Sequence, residues 1–461
     1  STVQLANGKL LFASDDATGD TELWTTDGTA AGTTQLVEIN PIVSFSSAIG
    51  PTLITPFDGG ALFFADDGLS GNELWFTDGT AAGTRLLADI QPGATGSRAT
   101  TNPARQLTVS GGKVFFTANT TAEGNELWVI ESVSAGPRLV TEIVPGSASS
   151  AISVLTSFND GVCFDANDGV NGVEAWYSDG TAGGTLSLGN LSPLATARTT
   201  NPTVVGDRVF FAIETSNTPG VLGAELWVSN GTVANTTRLL SNVSWPINTV
   251  GAVNGKAVFI ANDGVNGSEL WVSDGTPSGT RLLKDIQPGG VNSNGALAAG
   301  PGALFNGELY FRGTTTAEGA ELWKTDGTEA GTVLVADINP GTGGSNVSLL
   351  FSAVLNGRLY FQASTPGEGL ELWSTDGTAA GTSRVADINP GTASSTPTNF
   401  SVQVLPPPVV SISLAPAAAE EGEAFILTAT RSGAVLSQPT TVTYTITGPA
   451  ATAGDISTPL T

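Results

Sequence analysis

Histidine is absent from the 461 residues, and this removes more chemistry than any other feature of the sequence. A Ser/His/Asp triad, a Cys/His pair, His-ligated zinc and imidazole acid/base catalysis are excluded together. The single cysteine, Cys163, excludes an intramolecular disulfide. It stands in GVCFDAN, in the slot that Phe115 fills in GKVFFTAN, and is expected to be a small buried hydrophobe rather than a reactive thiol. Methionine is missing too, and the chain opens at Ser1, so a processed start is expected. Basic residues are scarce, 17 Lys and Arg against 42 Asp and Glu, for a formal charge of -25. Phosphate contacts need clustered cations, so no sequence-independent binding to nucleic acid or anionic lipid is expected. No run approaches the roughly 18 consecutive apolar residues of a membrane helix, and no secretory leader pattern opens the chain. Membrane insertion is not expected.

What is present is glycine and proline, 58 and 25 residues, beside 40% hydrophobic residues. That balance fits many short strands joined by tight turns, an all-β chain. The segment ELWTTDGTAAGT around Trp24 returns as ELWFTDGTAAGT, ELWVSDGTPSGT, ELWKTDGTEAGT and ELWSTDGTAAGT, with three looser copies between. Eight units result, on Trp24, Trp75, Trp128, Trp176, Trp227, Trp271, Trp323 and Trp373, spaced by 44 to 53 residues. This period is close to that of propeller blades.

The unit from Ser352 to Gly391 reads as four strands, SAVLN, RLYFQA, LELWST and TSRVADI. Asn356-Gly357 suits a two-residue hairpin, because both residues tolerate positive φ. Adjacent apolar residues such as LYF and LW place hydrophobes on both faces of each sheet, so both faces must be covered, as stacked blades cover them. An eight-bladed propeller over residues 1–405 is expected. Ring closure could use TVQLANGKLLF at the start and NFSVQV after the eighth unit; an open solenoid is the competing architecture.

The ELWxxDGTxxGT consensus resembles the bacterial ELWxxDGT-repeat proteins, and that resemblance implies a secreted or cell-surface location. The third unit departs from it with Glu131-Ser132-Val133, the fourth with EAW, and the fifth with Asn230-Gly231-Thr232. After the stiff linker Pro406-Pro407-Pro408 (406–408), the run EEGEAFILTATRSG…TYTITGPAATAGDIS over 409–461 resembles the first half of a Calx-beta β-sandwich. That resemblance implies Ca2+ ligands at Glu421, Glu423 and Asp455. The partial sandwich is expected to be completed by strands from outside these residues, with self-association through this segment as one route.

A glutamate precedes each repeat tryptophan by two residues, from Glu22 to Glu371. A carboxylate on the Trp face needs partners, either backbone N–H groups or the basic residue after the hairpin glycine (Lys9, Lys113, Arg208, Lys256, Arg358). The functional alternative is Ca2+ held by that glutamate and the loop before it: Asp67 with Glu73; Asp168 and Asn171 with Glu174; Asp263 and Asn266 with Glu269. The Asp of each DGT is expected to form an Asx-type turn. Trp245, in SNVSWP, is the one tryptophan outside the consensus; it either stacks on a ligand or plugs an end of the fold. With acids spread evenly and no distinguished pair, the expected function is a non-enzymatic extracellular scaffold or adhesion protein, binding surface or matrix proteins or glycans. A glycan-binding propeller is the alternative, and a carboxylate-dependent hydrolase the third class.

Overall fold

The computed structural model describes residues 2–397, apart from 6–7, 16–20, 42–49, 99–106, 193, 195–201, 217–221 and 290–301, together with 409–415 and 426–432. The chain divides into two compact units, Ser1–Phe400 and Ser401–Thr461. In the second, Val409–Ala415 pairs antiparallel with Ile426–Ser432.

The first unit is all-β: eight four-stranded antiparallel sheets, each built from four consecutive strands in sequential order. The second sheet, for example, comprises Thr52–Phe57, Gly60–Asp66, Asn72–Thr77 and Arg85–Ala88. The eighth comprises Ser348–Leu355, Arg358–Thr365, Glu368–Thr375 and Ser383–Ala386. No described sheet draws strands from both ends of the unit. NFSVQV, the segment expected to overlap the first unit, lies outside the described residues.

Local chemistry explains the meander. Asn254, Asn306 and Asn356 take φ of 48°, 52° and 50°, and the glycines after them 72°, 77° and 70°. Two consecutive left-handed residues match the twist of the strands they join. The DGT turn is closed by side chains: Asp78 Oδ1 accepts from the Thr80 amide at 2.8 Å and its hydroxyl at 2.7 Å, Thr80 Oγ1 accepts from the Gly83 amide, and the Thr84 hydroxyl donates to Thr80 O. Asp27, Asp179, Asp274, Asp326 and Asp376 repeat the Asp–Thr pair. The turn-forming role expected of these aspartates is the one they perform. In the third unit, Ser132 accepts from Ala135 and Gly136 instead, a shorter turn.

In every sheet a phenylalanine of the second strand lies opposite the repeat tryptophan, as Phe63 does Trp75 and Phe361 does Trp373. This Phe/Trp face packs on the preceding sheet: Leu11 and Leu23 of the first sheet cluster with Phe63 and Trp75 of the second, and Tyr310 and Leu322 of the seventh with Phe361 and Trp373 of the eighth. Seven such clusters occupy the seven junctions between consecutive sheets. Cys163 sits in the fourth–fifth cluster, and burial pushes its thiol up to about 12.

Neighbouring sheets come closest through their first strands, such as Thr203–Val205 on Asn248–Val253 and Ala303–Phe305 on Ser348–Leu355. Among the described residues no fourth strand approaches a neighbouring sheet comparably. The first strands therefore line one edge of the sheets, the inner edge, opposite the fourth strands. At this edge the Ser157 hydroxyl meets Ser110 Oγ at 2.9 Å, and the Gly302 amide bonds Val250 O at 2.6 Å.

Candidate functional site

The repeated glutamates are the first candidates, and seven of them do one job. Each carboxylate accepts from backbone amides 17 or 18 residues later, where the chain leaves the fourth strand for the next sheet. Glu73 takes Ile90 N, Gln91 N and the Ser97 hydroxyl at 3.1, 3.0 and 2.6 Å. Glu321 takes Ile338 N, Asn339 N and the Ser345 hydroxyl. Glu22, Glu126, Glu174, Glu269 and Glu371 hold the matching segments. Burial raises the proton affinity of Glu73, Glu174 and Glu321, and pushes Glu126 up to about 7, against the amide bonds that hold the anion. For Glu371 burial works in the same direction, but Ser395, Ile388 and their neighbours outweigh it and hold it low.

The exception is Glu225 in the fifth unit. It pairs with Arg238 at 2.8 Å and accepts from Trp227 Nε1 at 3.1 Å. Two of the basic residues after the hairpin glycine turn elsewhere: Lys113 donates to Asp179 O and Arg208 to Asp274 O, each a turn carbonyl of the next sheet. The reason is reach, since the hairpin opens at the far end of the strand pair from the glutamate.

The loop aspartates are also engaged locally. Asp67 accepts from Leu69 N and Ser70 N, Asp168 from Val170 N and Asn171 N, and Asp263 from Val265 N and Asn266 N. The Asn171 and Asn266 amides donate to those same aspartates. Each loop folds on its own Asp while Glu73, Glu174 or Glu269 faces the linker. Among the described residues no group of three or more acidic or other ligand side chains is assembled for a metal. Glu421, Glu423 and Asp455 lie outside the described residues. Trp245 is half-buried and packs on the cluster between the fifth and sixth sheets.

The feature that sequence reasoning missed lies on the inner edge. Each first strand contributes one residue opposite the second-strand position two before the phenylalanine: Gln4, Pro56, Val109, Ser157, Val204, Ala252, Leu304 and Val354. None is charged. Val109, Leu304 and Val354 are 45, 59 and 44% exposed, and Gln4, Pro56 and Ser157 are exposed too. In seven units this residue stands two before the hairpin pair, as Val354 does before Asn356-Gly357, so the row was legible once the units were aligned on the turn. Each first strand is hydrogen-bonded within its sheet on one side only, leaving its other backbone edge toward the neighbours.

No family model matches the chain, and no curated protein does. Solved structures similar to it include puromycin hydrolase, at 16% identity over 82% of this chain and 59% of that one, TM-score 0.38. A prolyl endopeptidase shares 13% identity over 73% and 49%, TM-score 0.40. The β-propeller domain of the Trilobed protease from Pyrococcus furiosus shares 11% over 74% of this chain and 98% of that domain, TM-score 0.35. The chain spans about half to three-fifths of the length of the first two. The expectation of a non-enzymatic scaffold or adhesion protein is corrected by these likenesses: the similar structures are peptidases and hydrolases, so neither that function nor the absence of enzyme activity is retained. The likeness assigns no catalytic residue in this chain.

Proposed function

We propose that the eight sheets are the blades of one propeller and that its inner edge binds a segment of polypeptide rich in aliphatic side chains. The observation that carries this reading is the uncharged row from Gln4 to Val354, with Val109, Leu304 and Val354 left in water, in a chain bearing 42 acidic and 17 basic residues. Exposed apolar surface on a rigid frame gains about 25 cal/mol per Å² when a ligand covers it. The backbone edges of the first strands add donors and acceptors that an extended chain can match. A polypeptide uses both features. Glycans are a poorer fit, because sugar rings favour aromatic platforms, and the exposed large apolar side chains among the described residues are all Leu, Val or Ile.

The test is binding of a fluorescent, aliphatic-rich peptide of neutral or positive charge, with each mixture also assayed for cleavage of the peptide. The wild-type chain is expected to bind, and the Val109→Glu/Leu304→Glu double variant to bind at least about tenfold more weakly, a loss of about 1.4 kcal/mol, at unchanged melting temperature. Failure of the wild type to bind, or equal binding by the folded double variant, sinks the reading.

A further inference from the structure

Seven junctions of one design leave two faces over, one at each end of the series, and these two match. On the seventh sheet, Phe305, Val335 and Ile338 are buried against the eighth. The equivalent residues of the eighth sheet, Leu355, Val385 and Ile388, are 44, 47 and 53% exposed. Tyr360 and Leu372 are only part-buried there, while Tyr310 and Leu322 are fully buried. The first sheet shows the counterpart: Phe12 is half-buried, whereas Phe63 through Phe361 at the same position are fully buried. Arg358, whose equivalents Lys113 and Arg208 cross to the next sheet, turns back to Ser374 and the Gly381 carbonyl of its own sheet.

We propose that the Phe12 face of the first sheet and the Tyr360/Leu372 face of the eighth form an eighth junction that opens and closes within a single chain, making a seam in the ring of sheets. The residue classes on the two faces are those that already mate seven times. Both faces belong to one chain, so their pairing is intramolecular, at an effective concentration on the order of millimolar. Closure buries the aliphatic surface of the eighth sheet and frees Arg358 to reach the DGT turn at Asp27, as Arg208 reaches that at Asp274. Opening exposes the inner edge from the side, so the seam governs entry of a chain too long to thread from an end. That consequence rests on the ligand reading above; the junction itself does not.

The third–fourth junction supplies the ruler for a test. Ser110 and Ser157, on adjoining first strands, bring their hydroxyls within 2.9 Å. The equivalent positions across the seam are Leu355 and Gln4, both exposed. A disulfide forms only when the two Cα atoms come within about 7 Å. In a Cys163→Ala background, Ser110→Cys with Ser157→Cys is the control pair and Leu355→Cys with Gln4→Cys the seam pair. Mild oxidation without ligand is expected to consume both thiols of the seam pair in monomeric protein, several-fold more slowly than in the control pair. Cross-linked dimers from the seam pair, or retention of its thiols while the control pair closes, overturns the proposal. Hydrogen exchange on the unmodified chain is independent of substitution: strand 348–355 is expected to exchange at least about tenfold faster than 303–305, and equal protection also overturns it. Neither measurement contains a peptide, so failure of the seam and failure of ligand binding are told apart.

Discussion

The Ser97 hydroxyl donates to the Glu73 carboxylate across 2.6 Å, joining the linker after the second sheet to its third strand. With the amides of Ile90 and Gln91 on the same carboxylate, one buried side chain fixes the direction in which the chain leaves the sheet. Glu73→Ala strands three donors, two of them buried (Gln91 N and the Ser97 hydroxyl) and each of those costing about 1–3 kcal/mol. Denaturant unfolding is expected to show a loss of about 3 kcal/mol or more, with Glu73→Gln losing less because one acceptor oxygen survives.

The raised affinity of Glu126 makes stability depend on pH in a defined direction. The ordinary value of 4.5 applies to the unfolded chain and about 7 to the folded one. Between them the folded state holds a proton that the unfolded state has released, so the contribution is full below about 4.5 and is lost as pH rises through about 7. Glu73, Glu174 and Glu321 shift in the same direction, and Glu371 opposes them. Denaturation curves from pH 4.5 to 8 are expected to show declining stability, with a shallower decline in Glu126→Gln.

The DGT turn discriminates between adjacent glycines. A Cβ on Gly184 would stand 2.2 Å from the Asp179 carboxylate, while one on Gly183 meets nothing within 4 Å. Gly184→Ala must break the Asp179–Thr181 bonds and is expected to cost about 1–3 kcal/mol. Gly183→Ala is expected to be neutral, or slightly stabilising through the unfolded chain. Equal melting temperatures for the two variants would contradict the turn geometry.

Trp245 packs on the fifth–sixth cluster. Trp245→Ala is expected to lower stability by about 2–4 kcal/mol, toward the range for large-to-alanine changes in a core. A melting temperature equal to that of the wild type would return the residue to the candidates for ligand contact.

Cys163 is buried with its thiol affinity raised by that burial. Thiol reagents at pH 8 are expected to leave it unmodified in the folded chain and to label it fully in denaturant. Rapid labelling of the native protein would show that the fourth–fifth junction opens.

By itself the sequence determined the repeat, the four strands of each unit and the hairpin and DGT turns, because those depend on residues a few positions apart: Asn356 with Gly357, Asp376 with Thr378 and Gly381. It also determined that both sheet faces are covered, since Leu322 and Trp323 are neighbours that point opposite ways. Only the tertiary structure decided where the glutamates turn, because the amides that satisfy Glu73 lie 17 and 18 residues away and are backbone groups, while the charged side chain beside them, Asp89, has the same sign as the glutamate. The same holds for Lys113, whose partner at Asp179 is a backbone carbonyl and so leaves no side-chain signature. Burial of equivalent residues was likewise beyond the sequence. Leu322 and Leu372 stand in nearly the same words, ELWKTDGT and ELWSTDGT, yet one is covered by a following sheet and the other is not; burial depends on what stands next to a face, and local sequence carries no record of its neighbour.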